Sequence, residues 1–320
     1  MNRISFATSM LGALGAATVA APRIARAADE FPSRPITLIV PWGPGGGSDQ
    51  VGRAVAKSLQ DVLKGTSVPV INVPGADGND GMVKLINSDA DGYTMAVFIV
   101  DTFVGNMTSK STAAWHMSDI TPLAVMNRQP YTYFVSSTGP YKSWADVEKA
   151  AKTTQIKIAI DGFGSCEDLL TKFLARKGVK LTVIPFAKPG ERYAALLGNQ
   201  VDLLTEPDGN LRRYIEGGQM RPVMVFDAKR VPQMPGVPTA TELGFNVAPL
   251  FWRSFVVKAG TDPRIVAFLS DAMARVYKSA DYQQFMDYTW SAKDSYVAAK
   301  DVPAFFRRSQ QQIEAIEAAQ

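Results

Sequence analysis

The chain has one thiol, Cys166, and one imidazole, His116. A nucleophile at Cys166 or Ser165 would need that single histidine as its base, and His116 lies in a stretch with no regular helix or strand pattern. A hydrolase or transferase using Cys166 is therefore the alternative reading, not the first one. A lone cysteine forms no internal disulfide, and one thiol with one imidazole cannot build a thiolate–imidazole zinc site. No metal or cofactor is expected. Asp89 and Asp91 flank a turn and read as turn chemistry, not as a catalytic carboxylate pair.

The remaining chemistry belongs to the backbone. In "VPWGPGGGSDQVGRAVAKSL" an apolar run meets Pro41, then three consecutive glycines, then a helical pattern. A phosphate loop needs a lysine after its last glycine, but Ser48-Asp49 follows here. A dinucleotide turn needs G-x-G-x-x-G and an acid ending the next strand, and neither is present. Amides at a glycine-rich helix start suit a carboxylate or similar small anion; a tight turn that holds nothing is the bland alternative. "DGFGSCEDLL" repeats the design, so two helix starts can converge on one cleft, with the Ser165 hydroxyl and Cys166 amide at its far end.

Strand, loop and helix alternate along the chain, which predicts an α/β fold with a parallel or mixed sheet. "ITLIV" reads as a buried strand. Ser48 is the expected N-cap of the next helix, whose Val51, Val55, Leu59 and Val62 share a face. "SVPVINVPG", "GYTMAVFIV", "IKIAID", "LTVIPF", "VDLLT" and "MRPVMVFD" read as further strands, with Asp101 to Pro122 irregular. "TPLAVMNRQPYTYFVSS" and "FWRSFVVKAG" are long extended stretches, expected as two crossover strands joining two sheets. Residues 28–136 and 249–320 would then form one lobe and 137–248 the other, with ligand in the cleft between them.

"FPSRPITLIVPWGPGGGSDQ", "NVPGADGNDG", "ADGYTM", "LLGNQVDLL", "RVPQMPGVPTATELGF" and "KAGTDPRIVAFL" occur in order between Phe31 and Ala274. Together they resemble the solute-binding receptors of tripartite tricarboxylate transporters, the Bug family. The resemblance implies a two-lobed, type II-like periplasmic-binding-protein fold closing on a small carboxylate, such as a dicarboxylate, an aromatic acid or an amino acid. It implies delivery to membrane permease subunits by transient docking of a monomer; a sensory receptor presenting solute to a signalling partner is the alternative. Carried over, Trp42, Gly43, Gly46, Ser48 and Asp49 form the first binding turn and Gly164, Ser165 and Cys166 the second. Asn79, Asp101, Thr102 and Glu206 sit where cleft-facing loops end strands. The chain departs from the family at Glu167 and Asp168, where neutral residues or histidine are usual. These acids and Glu206 are expected on a solvated rim; if they face the solute, it would need a cationic or hydrogen-bond-donating end.

Residues 1–27 read as a secretory signal peptide: Arg3, an apolar run too short to span a bilayer, and Ala25-Arg26-Ala27 as cleavage site. Its removal places the mature protein in the periplasm and leaves 31 basic against 30 acidic residues. Near-neutral charge gives no ground for a nucleic-acid partner.

Overall fold

A 17-residue strand, Ile120–Ser136, is the spine of the protein. At ~3.3 Å per residue it runs for roughly 55 Å, long enough to belong to two sheets at once. The computed structural model describes residues 31–107 and 113–318, so the expected signal segment lies outside the described residues.

In chain order the first half comprises β1 (Thr37–Val40), α1 (Gly47–Val62), β2 (Val70–Asn72), α2 (Asn79–Ile86), β3 (Thr94–Ile99), α3 (Val100–Met107), β4 (Ile120–Ser136), α4 (Trp144–Ala150), β5 (Ile156–Ile160) and α5 (Cys166–Arg176). Then follow β6 (Leu181–Pro185), α6 (Pro189–Leu197), β7 (Leu203–Pro207), α7 (Arg212–Glu216), β8 (Met220–Phe226), β9 (Leu250–Lys258), α8 (Pro263–Lys278), α9 (Ala280–Tyr288), β10 (Val297–Ala298) and α10 (Val302–Ala318). The strand order is β2-β1-β3-β9-β4-β7-β5-β6, with β8 and β10 also paired to β4.

Up to Pro130, β4 pairs antiparallel with β9; from Tyr131 it pairs with β7 on one side and β8 on the other. Each end of the chain of strands is parallel, β2-β1-β3 in the first sheet and β7-β5-β6 in the second. This is the expected two-lobed α/β architecture of mixed sheets, but a single strand, β4, crosses between them: β9, expected as the second crossover strand, pairs with β3 and β4 of the first sheet. Shifts of register between Pro122 and Ala124 and between Val125 and Asn127 bring Asn127 opposite Arg253 of β9; extra residues of this kind re-aim side chains.

Helix α1 buries Val51, Val55 and Leu59. It lies so close to β1 that a Cβ at Gly52 would come within 2.8 Å of Val40 Cγ2. Several expectations need correction. Ser48, expected as the cap of α1, lies inside the helix, whose cap is Gly46. Residues 100–107, expected to be irregular, are helix α3; Val100, Phe103 and Val104 at helical spacing bury one face. Strand β7 does not stop at Thr205 but runs through Glu206 to Pro207, because Glu206 pairs with Thr132 and Pro207 with Tyr131. Glu206 is a strand residue, not a loop residue.

Trp252 on β9 anchors the first sheet's aromatic core. It stacks on Phe306 at 4.9 Å, meets Phe98 and Phe103 edge-on, and donates its indole N–H to Ser309 Oγ at 2.8 Å. Truncating a buried aromatic of this kind costs about 3–5 kcal/mol. Trp252→Ala is expected to lower unfolding free energy by that amount in urea titration; a loss below about 1 kcal/mol would show that the core does not rest on it.

Candidate functional site

The two glycine turns are built alike. One follows β1 and the other β5, each a parallel strand of its sheet, and each has a glycine in the left-handed region, Gly45 (φ 82°) and Gly164 (φ 87°). Four residues on, an aspartate turns back to accept that glycine's N–H: Asp49 from Gly45 at 2.9 Å and Asp168 from Gly164 at 2.9 Å. A cation one helical turn further holds each aspartate, Arg53 and Lys172. Each turn also meets the opposite lobe. A Cβ on Gly43 would touch Pro189 at 3.5 Å, one on Gly46 would collide with Pro189 Cγ at 2.6 Å, and one on Gly162 would strike Asp77 Oδ1 at 2.0 Å.

The helix starts differ in what fills them. At α5, the Cys166 N–H donates to Asp101 Oδ1 at 2.9 Å, and the Tyr131 O–H donates to the same oxygen at 3.1 Å. Ser165 Oγ donates to the Gly162 carbonyl and accepts from Asp168 N–H. A carboxylate from α3 thus already occupies the second turn. At α1 the cap, Gly46, offers no side-chain bond. The amides of Gly47 and Ser48 find no acceptor among the described residues.

Arg253 closes on that open helix start. It is 1% exposed. Its Nη1 donates to Asn127 Oδ1 at 2.6 Å and Gln129 Oε1 at 2.9 Å, its Nε donates to Ser48 Oγ at 3.3 Å, and the guanidinium lies 4.3 Å from the Phe251 ring centre. All three acceptors are neutral, and no carboxylate lies within ion-pair distance of Arg253 among the described residues. Nη2 is left without a hydrogen-bond partner there and abuts Gly47, where a Cβ would come within 2.3 Å of it. Burial lowers Arg253 to about 10, against the pull of Glu206.

Across the cleft, Arg192 of α6 is ringed by acids. It binds Asp161 and Glu206 directly and lies 3.3 Å from Glu167 Oε2. Glu167 also accepts the Asp161 N–H at 2.7 Å, and Glu206 Oε1 accepts from Asn210 at 2.6 Å. Burial and then Asp101 push Glu167 well above the usual carboxylate range. The cleft encloses about 320 Å³, part of it open to solvent, and is lined by Trp42, Gly46, Ser48, Asp161, Glu206 and Arg253 among others.

Trp42, Gly46, Ser48 and Glu206 line the cleft, while Gly43 packs on the opposite lobe. Asp49 points back into its own turn and Gly164 donates to Asp168. Asn79 bonds Ala76 and the Trp115 indole, and Thr102 bonds the Asp77 carbonyl. Asp101 and Cys166 bond each other across the lobes. The solvated rim is corrected: Glu167, Asp168 and Glu206 are 1%, 1% and 4% exposed, Glu167 and Glu206 being held by the buried Arg192 and Asp168 turned back onto the Gly164 N–H. Phe163 is 65% exposed and does not line the cleft. Sequence reasoning missed Arg192 and Arg253. A single arginine inside the apolar strand "LFWRSFVVK" was the available signal for the second; Arg192 had none.

Two sheets sharing a crossover strand, with a cleft beside the start of α1, give the fold of the periplasmic-binding-protein class. The profile of the tripartite tricarboxylate transporter family receptors matches residues 51–316, and the chain belongs to that family. It is 31% identical over 278 residues to the protein BugT of Bordetella pertussis, covering 82% of each chain. Its fold is similar to that of the periplasmic binding protein BugD (TM-score 0.82, 24% identity, 90% of this chain and 98% of that one). It is also similar to MatC of Rhodopseudomonas palustris with bound malate (TM-score 0.77, 24% identity, 90% and 99%).

Burial raises Asp101 to about 7, although the Cys166 and Tyr131 bonds oppose it, and raises Asp77 to about 6 with help from Asp168. Both folded-state values exceed the unfolded ones, so the native state binds more protons across this window. Stability must then fall as pH rises from about 4 to about 7. Urea midpoints are expected to decline over that range, and Asp101→Asn to flatten the decline. An unchanged slope in the variant would remove Asp101 as the source.

Proposed function

We propose that this chain is a periplasmic receptor that captures a small carboxylate between its lobes, 28–136 with 249–320 and 137–248, and delivers it to permease subunits of its transporter. It is exported by its N-terminal segment and works as a monomer. One observation carries the reading: a buried guanidinium without a counter-ion stands beside open helix-start amides in the cleft. Burying a charge unpaired is costly, and the α1 dipole adds to the same positive field. A carboxylate placed there would accept from Arg253 Nη2 and the Gly47 and Ser48 amides, satisfying all three at once. MatC, similar in fold, has a small carboxylate, malate, bound.

The Cys166 hydrolase reading has less support. The thiol is fully buried and pushed well above its usual range by burial and by Asp101, which disfavours the thiolate. Cys166→Ala is expected to leave carboxylate affinity unchanged, with no turnover in either form.

Arg253→Met keeps the volume and removes the charge. Calorimetry with a carboxylate that raises the melting temperature should show an affinity loss of at least about tenfold, the scale of a charged hydrogen bond. Gly46→Val, which wedges against Pro189, should do likewise. If no small carboxylate shifts melting, or both variants bind as the native protein does, the reading fails.

A further inference from the structure

The cleft has two poles. The Arg253 pole is positive and lacks a carboxylate. The opposite wall sets Arg192 against three carboxylates, Asp161, Glu167 and Glu206. Two carboxylates to one guanidinium remain even with Glu167 protonated. The Asp161 side chain is only 10% exposed, lines the cleft, and its Oδ2 takes no hydrogen bond among the described residues. The poles meet at Gly47: a Cβ there would come within 2.1 Å of Asn210 Nδ2 and 2.3 Å of Arg253 Nη2, and Asn210 in turn binds Glu206.

We infer that the solute is a compact zwitterion, a carboxylate with an ammonium close by as in an amino-acid head, the ammonium facing Asp161 and Glu206. This rests on the receptor reading above and narrows it. The second carboxylate of a dianion would be forced against Asp161 and Glu206, a like-charge contact in a site with little water to screen it. An ammonium in that place donates to the unoccupied Asp161 oxygen and leaves the cleft near neutral.

The test uses pairs that differ by one ammonium. Melting shifts with the common amino acids and with the matching desamino acids identify binders; calorimetry then compares each pair, for example aspartate with succinate and alanine with propionate. The amino acid should bind at least about tenfold more tightly than its partner, as a charge-assisted bond supplies. Asp161→Asn and Glu206→Gln, checked for folding by circular dichroism, should shrink that ratio toward unity. If desamino acids bind as well or better, with affinity still lost in Arg253→Met, the zwitterion is refuted and the carboxylate receptor stands. If neither set binds in an Arg253-dependent way, both fall. The native ratio alone decides should the acid variants not fold.

Discussion

Keeping one guanidinium buried without a carboxylate partner is the constraint around which the cleft is arranged. Three neutral acceptors, Asn127, Gln129 and Ser48, hold Arg253. Two of these are on β4, at alternate positions that face one way, and the register shift just before Asn127 puts it opposite Arg253. Ser48 comes from the first turn of α1, whose dipole should repel a cation. Only Gly47, lacking a side chain, lets the helix start and the guanidinium approach so closely. Strand register, bulge and glycine thus combine to hold an electrostatically unfavourable arrangement, which an anion bound as proposed above would relieve.

The repeated turns show how one local solution can serve two ends. Both use a left-handed glycine, an aspartate returning to its N–H and a cation a turn later. In the second, α3 supplies Asp101 and completes the helix start from within the protein. In the first, the corresponding donors face the cleft. What differs is not the turn but what the other lobe presents to it: an aspartate in one case, Pro189 and open space in the other.

Much of this was readable in the residues. Alternating strand and helix patterns, the long run from Thr121 to Ser137 and the twin glycine turns gave the architecture, because periodicity and turn chemistry are local. Helix α3 was legible in Val100, Phe103 and Val104 but masked by the polar residues between them. The acids were misplaced for a different reason. Glu167 and Glu206 are buried only because Arg192, distant from both in sequence, reaches them, and no local pattern announces such a partner. Arg253 lay open to view as a charge in an apolar strand, yet its unpaired state depends on three segments that only folding brings together.

The bond between Asp101 and the Cys166 amide joins α3 under the first sheet to α5 under the second, using atoms the chain always carries. Cargo does not have to supply all of the adhesion that holds the halves together. A receptor whose binding-competent shape is already populated gives up less apparent affinity to reach it. Discrimination among solutes is then set more by the chemistry of the walls than by the work of shutting them, and raising the acidity, which protonates Asp101, would replace a charge-assisted hydrogen bond between the halves with a neutral one.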